Sequence, residues 1–223
     1  MSDFLTICQE VRTKSGISGT GPTTVVSQTG ILGRLVDAVR DAWLRIQTDE
    51  KDWKWMWVDA YGLSVLSATT DFPLTGVEKI HTKTFMIYET SLGLSDRTKI
   101  SYVDWDRYQA SFGQLQTIPT ERPSVVTQKP NGDLHFYPTP VLNYTCDFEY
   151  QKEPQLLSGN TDVPELPARF HPLIVWEALN EFGGLEDAPE VIDTSKGIGG
   201  VMWNQLLWDQ VLKRAEHMTV ISE

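Results

Sequence analysis

Pro164-Glu165-Leu166-Pro167-Ala168-Arg169-Phe170-His171-Pro172-Leu173-Ile174-Val175-Trp176-Glu177-Ala178-Leu179 divides this chain into two kinds of sequence. Before it, apolar residues recur in short alternating runs. After it, they recur at helical spacing to the C-terminus. Pro167 and Pro172 have fixed φ and no N–H, so they suit the end of an extended segment and the first turns of a helix. The predicted helix runs to Gly183-Gly184, a natural C-cap. It is apolar nearly all round at Leu173, Ile174, Val175 and Trp176. Such a helix needs neighbours on more than one side. A small domain seldom offers that many, so the segment reads as a packing and assembly element.

Two helices are predicted at the other end. Phe4, Leu5, Cys8 and Val11 recur at spacings of three and four, with Ser2 or Asp3 as a cap and a stop at Ser15-Gly16. A polar loop runs to Gln28 and is long for a bundle connection, so it reads as the segment that changes shape. Ile31, Leu35, Val39, Ala42, Trp43 and Ile46 then form one stripe, predicting a helix over residues 29–48. From Trp53 the period becomes two: Trp53, Trp55 and Trp57 alternate with Lys54, Met56 and Val58, as in a strand. Short strands are predicted over 63–69, 84–88, 99–103, 124–129, 133–137 and 144–150, with a turn or two of helix within 103–112. Pro130-Asn131-Gly132-Asp133 reads as a hairpin turn. The last helix is predicted to start between Glu190 and Gly199 and to run to about Met218. Its apolar stripe is Val201, Trp208, Val211, Leu212 and Ala215, and Asp209 and Lys213 make an i,i+4 pair. The fold class is α+β: a helical bundle from residues 1–52 and 164–223, with an antiparallel β-rich unit, 53–163, inserted.

The chain has 223 residues, 40% of them apolar and eight of them Trp, enough for a sizeable core. Nineteen basic and thirty acidic residues give a net charge of −11. No basic block exists to grip phosphates, which argues against a nucleic-acid-binding protein of the ordinary kind. From Gly159 to Asp193, eight acidic residues face one basic residue, Arg169. Cys8 and Cys146 make neither a disulfide framework nor a metal cluster. No run of 18 apolar residues suggests a membrane span, and Met1–Leu5 lacks the basic start of a signal peptide. The expectation is a soluble protein of a reducing compartment.

The search for chemistry eliminates more than it finds. Gly16 and Gly21 have the spacing of a phosphate loop, but Pro22-Thr23 stands where Lys-Ser/Thr is needed. Gly197-Ile198-Gly199-Gly200 lacks the third glycine of a dinucleotide fingerprint, because Met202 occupies that place. Thr20 spoils a nucleophile elbow around Ser18. His81, His135, His171 and His217 have no partner at a metal-ligand spacing. His171 reads as a helix-entry residue and His135 as part of a solvated strand face. No cofactor is expected, and neither a metal nor a catalytic residue is assigned. The Trp53/Trp55/Trp57 run admits three readings: core, a stacking platform for sugar or base, or an interface anchor. A small ligand- or carbohydrate-binding module therefore stays open. So does a hydrolase whose site is assembled from distant residues, marked by a pKa-shifted group in a cleft.

In order and style the whole chain resembles the head-to-tail adaptor, connector or gatekeeper proteins of tailed bacteriophages. The resemblance rests on Val36-Asp37-Ala38-Val39-Arg40-Asp41-Ala42-Trp43 leading into Trp53-Lys54-Trp55-Met56. It continues in Leu134-His135-Phe136-Tyr137-Pro138-Thr139-Pro140 and Phe148-Glu149-Tyr150-Gln151, and ends at Leu166-Pro167-Ala168-Arg169-Phe170-His171. It implies a structural protein of the virion neck, assembled in the host cytoplasm, with no enzymatic role and no membrane contact. It implies a ring of twelve copies between portal and tail or neck proteins, with DNA as passing cargo. The helical part would face the portal and sister copies, and the β part the tail. Candidate ring contacts are Phe170, Leu173, Ile174, Trp176, Trp203, Trp208, Val211 and Leu212. Candidate lumen-facing acids, which would repel phosphates, are Glu181, Glu186, Asp187 and Glu190.

Overall fold

The computed structural model describes residues 2–49, 52–113, 115, 118–186 and 188–210. The chain forms two compact units, residues 1–55 with 154–223, and residues 56–153. It is an α+β protein with helices at both ends.

The helical unit holds α1 (Phe4–Ser15), α2 (Gly30–Asp49), α4 (His171–Leu185) and α5 (Pro189–Gln210). Asp3 caps α1 by accepting the Thr6 N–H at 2.8 Å, and Gly16 ends it at φ +75°, a conformation that glycine adopts without a Cβ penalty. Phe4, Ile7, Cys8 and Val11 are its buried stripe; Ile7, not Leu5, completes it. On α2 the stripe Leu35, Val39, Ala42, Trp43 and Ile46 is buried, while Ile31 stays 37% exposed. α4 packs against α1, α2 and α5. That explains its all-round apolarity: Leu173, Ile174, Val175, Ala178 and Leu179 are each covered by helices of the same unit.

Gly183-Gly184 does not end α4, which continues to Leu185. Gly183 serves close approach instead. A Cβ there would lie 3.0 Å from Ile192 Cγ1, so the glycine lets α5 start tightly against α4. α5 begins at Pro189, before the predicted window. Its predicted end near Met218, with Val211, Leu212, Ala215 and the Asp209–Lys213 pair, lies outside the described residues. Asp209 pairs with Arg169.

Residues 154–166 bind to these helices through polar clamps. Buried Gln47 donates from Nε2 to Gln155 O at 3.0 Å and accepts the Gln155 N–H at 2.7 Å. Asn160 Oδ1 accepts from Val25 N at 2.7 Å and Thr24 Oγ1 at 3.1 Å. The loop between α1 and α2 is held further by Gln9 on Pro22 O and Arg12 on Ile17 O. The loop that reads from sequence as adaptable is thus tied down at four places.

The second unit has strands β1 (Trp57–Val58), β2 (Leu63–Val65), β3 (Asp71–Phe72), β4 (Val77–Ile80), β5 (Met86–Glu89), β6 (Thr98–Lys99) and β7 (Ser101–Tyr102). After α3 (Trp105–Ser111) come β8 (Thr120–Glu121), β9 (Val125–Gln128), β10 (Leu134–Tyr137), β11 (Thr139–Pro140), β12 (Tyr144–Asp147) and β13 (Tyr150–Lys152). The sheet orders are β1-β13-β4, β3-β10-β9-β7, β11-β8 and β2-β12-β5-β6. Pairing is mostly antiparallel, but β7–β9 and β8–β11 run parallel. The hairpin predicted at Asn131-Gly132 joins β9 to β10, with Gly132 at φ +93° and Lys129 N donating to Asp133 O at 2.9 Å. One core gathers Val65, Phe85, Ile87, Val126, Leu134, Phe136, Cys146 and Phe148.

Two predictions about this region need correction. The tryptophan run is not one strand: Trp53 makes an isolated bridge, Lys54–Met56 is a turn of 3-10 helix, and Trp57–Val58 pairs with β13. His135 is buried rather than solvated, because α3 covers that face of β10. The Tyr108 hydroxyl lies 2.9 Å from His135 Nε2.

Candidate interface surfaces

The predicted ring-contact residues separate by exposure. Phe170, Leu173 and Ile174 are buried inside the helical unit, and their apolar surface is covered by its own helices. Trp203 is half-buried and meets Trp53 edge-on at 5.9 Å. Trp53 is fully buried, donating from Nε1 to Ile46 O at 2.9 Å and stacking on Trp55 at 4.4 Å. It is core, not a platform for a ligand. In the other unit, Trp57 stacks on His81 at 3.5 Å. Trp208 is 73% exposed. Val211 and Leu212 lie outside the described residues.

Trp176 is half-buried and forms the floor of a groove. Lys14 Nζ sits 4.8 Å above its ring. A hollow of about 340 Å³ there is lined by Lys14, Trp176, Leu179, Glu190, Val191 and Thr194. It adjoins at Val191 a second hollow of about 170 Å³, lined in part by Ile17, Ile31 and Phe182. Sequence pattern did not reveal this groove, because Lys14, Ile31, Leu179 and Val191 come from four helices.

The candidate lumen acids also separate. Glu181 is 3.7 Å from Arg45, which also holds Glu177 at 3.1 Å. Burial pushes the Glu181 carboxyl up; Arg45 opposes this, and the neighbouring Asp41 and Glu177 add to it. Glu186 pairs with Arg34 at 2.8 Å. Glu190 is exposed, and Asp187 lies outside the described residues. Two of these carboxylates are thus already met by arginines of the same chain.

The polar clusters elsewhere bind structure together. His135 Nδ1 is 2.5 Å from Asp71 Oδ1, and Lys129 is 2.7 Å from the same oxygen. Burial pushes Asp71 up, but the hydrogen bonds from Lys129 and His135 outweigh it and hold the carboxyl below its ordinary value. The chain Tyr108–His135–Asp71 pins α3 to the sheet and holds no serine or cysteine nucleophile. Arg122 donates from Nη1 to both carboxylate oxygens of Asp96 and from Nη2 to Ile87 O, Asp96 O and Thr98 Oγ1. It locks the turn after β5. Burial pushes the Cys8 thiol up to about 12 and Cys146 higher still, so neither offers a thiolate at neutral pH. Among the described residues, no group of three or more His, Cys, Asp and Glu is placed to hold a metal ion.

A family model described as SU10 adaptor protein matches residues 2–214. No curated protein matches the chain.

Proposed function

The chain belongs to the SU10 adaptor protein family, a family of phage head-to-tail adaptors and thus of structural proteins, and from that premise we propose that it is a connector of the virion neck. The observation that carries this reading is the family match over residues 2–214. In this role the protein sits between the portal and the tail. Copies form a ring, twelve in number, through heterologous contacts in which one patch meets a different patch on the next copy. The helical unit meets the portal and sister copies, and the β-rich unit meets tail or neck proteins. Assembly takes place in the host cytoplasm.

DNA passes through the ring as non-specific cargo. A wall that grips phosphates with Lys and Arg retards it, and a net charge of −11 favours release. Among the described candidate lumen acids, Glu190 is exposed, while Glu181 and Glu186 have arginine partners. Among the described residues no helix is long and apolar enough to cross a membrane.

The test is reconstitution with the portal protein of the same phage. Mixing the two proteins and weighing the product by native mass spectrometry should give a portal-bound ring of integral stoichiometry. A protein that ignores the portal and stays monomeric at every concentration sinks the reading.

A further inference from the structure

The sheet β3-β10-β9-β7 has two unlike faces. Val126, Leu134 and Phe136 belong to the core of the β-rich unit. Alternation along the strands puts Thr127 and His135 on the other face, where they stand opposite each other across the β9–β10 ladder. α3 covers that face. It packs on β9, and the Tyr108 hydroxyl meets His135 Nε2 at 2.9 Å. Thr127 is fully buried, and its Oγ1 has no hydrogen-bond partner among the described residues.

This cover is weakly held. α3 has seven residues, and Tyr108 is its buried side chain. Trp105 and Phe112 are half-buried. They reach the sheet by ring contacts, Phe112 with Tyr137 at 4.5 Å and Trp105 edge-on to His135 at 6.3 Å. Asp104, at the N-cap, makes no side-chain cap bond. A helix so short does not hold itself in water, so docking has to supply its stability. Docking is opposed by a polar group that it dries: the Thr127 hydroxyl gives up solvent and finds no protein partner in return.

The sheet, by contrast, keeps itself. β10 is paired by β3 and β9, and β9 by β10 and β7. Its apolar core lies on the far side, so lifting α3 opens none of it. The chain enters α3 from Val103, whose N–H still belongs to the sheet, donating to Val126 O at 3.0 Å. It leaves at Gly113, where a Cβ would lie 2.8 Å from Gln109 O. We infer that α3 is a detachable strap: it lifts as one piece between Val103 and Gly113 and uncovers His135 and Thr127, while β9 and β10 stay paired. Closed, this side of the unit presents a helix. Open, it presents a polar strip of Thr127 and His135 beside the Asp71–Lys129 pair. The device goes beyond the connector reading and does not depend on it.

Hydrogen exchange on the full chain, with and without low urea, tests it. The α3 amides should exchange together, roughly a hundredfold faster than those of β9 and β10, at a rate that low urea leaves unchanged, because a local opening exposes little surface. Val126→Ala, on the far face of the sheet, should speed β9 and β10 and leave the α3 rate alone. Tyr108→Ala should speed α3 exchange by at least about tenfold. Diethyl pyrocarbonate should modify His135 at a rate that follows α3 exchange in wild type and in both variants. The inference is overturned by α3 amides that share the β9–β10 rate and its urea dependence, by a Val126→Ala effect common to all three elements, or by His135 labelling that follows β9 and β10. Fast exchange confined to one end of α3 overturns it as well, since that is fraying. If Val126→Ala does not fold, the wild-type urea series and the His135 labelling decide.

Discussion

The helical unit and the β-rich unit handle surplus apolar surface differently. In the helical unit, α4 is the most apolar helix and is enclosed by α1, α2 and α5. The exposed remainder is spread over loops and helices, at Val26, Ile31, Leu44, Leu156 and Leu185 as well as at Ile198, Val201 and Trp208 on α5. In the β-rich unit the exposed apolar residues sit outside the strands, at Leu66, Leu92, Leu94, Leu115, Ile118, Val141 and Leu142. Its polar groups are absorbed locally by Arg122 and by the Tyr108–His135–Asp71 chain. The lesson is that the most hydrophobic segment of a chain and its binding surface need not coincide. A helix that is apolar all round is a core helix once three neighbours enclose it.

Four changes test this contrast. Leu173→Ala should cost the most, about 2–5 kcal/mol of stability, as a large-to-small change in a closed core. Chemical denaturation measures it. Loss of assembly with unchanged stability would return α4 to the interface. Gln47→Ala comes next. It strands the Gln155 N–H and carbonyl that Gln47 clamps, which costs about 1–3 kcal/mol and should speed hydrogen exchange in residues 154–166. In the β-rich unit Tyr108→Phe removes one hydrogen bond to His135 and keeps the ring packing. The expected loss is about 1 kcal/mol, with α3 exchanging faster and the helical unit unaffected.

The smallest effect is on the pH profile of the helical unit. The Glu181 carboxyl is raised in the folded protein, so the folded state holds its proton more tightly than the unfolded chain does. The stability gained by protonating it is fully present below the unfolded value and is lost as pH rises through the raised folded value. Glu181→Gln should therefore flatten that segment of the melting-temperature profile. An unchanged slope would mean that Arg45 cancels the cost of burial. Asp162 acts with the opposite sign. Its carboxyl accepts the Gly159 and Ser158 N–H groups and is lowered, so its contribution is present above the ordinary carboxylate range and is lost as pH falls through the lowered value.

Much of the architecture was legible. The 3.6-residue stripes located α1, α2 and α4 to within a few residues, and Asn131-Gly132 located the β9–β10 hairpin, because local spacing and turn chemistry carry those signals. Strands of two residues such as β3, β8 and β11 carry no periodicity, so they went unread. The tryptophan alternation misled, because a 3-10 turn between Trp53 and Trp57 also brings alternate residues to different surroundings. His135 misled because the helix covering its face lies some thirty residues earlier. The candidate interface was half legible. Val201 belonged to the predicted stripe of the last helix, but the groove on Trp176 is assembled from residues on four helices.

By itself, the sequence determined the α+β order of elements, the net charge, the absence of a basic grip for phosphates, and the demand of Leu173–Trp176 for neighbours on several sides. Tertiary structure alone decided who those neighbours are. Hydrophobicity has no direction: burial rewards removal of area from water whichever surface covers it, so an all-round apolar helix announces that it will be enclosed without naming its enclosure. Once α1, α2 and α5 fill that role, α4 is core, and its apolar surface is accounted for within its own unit.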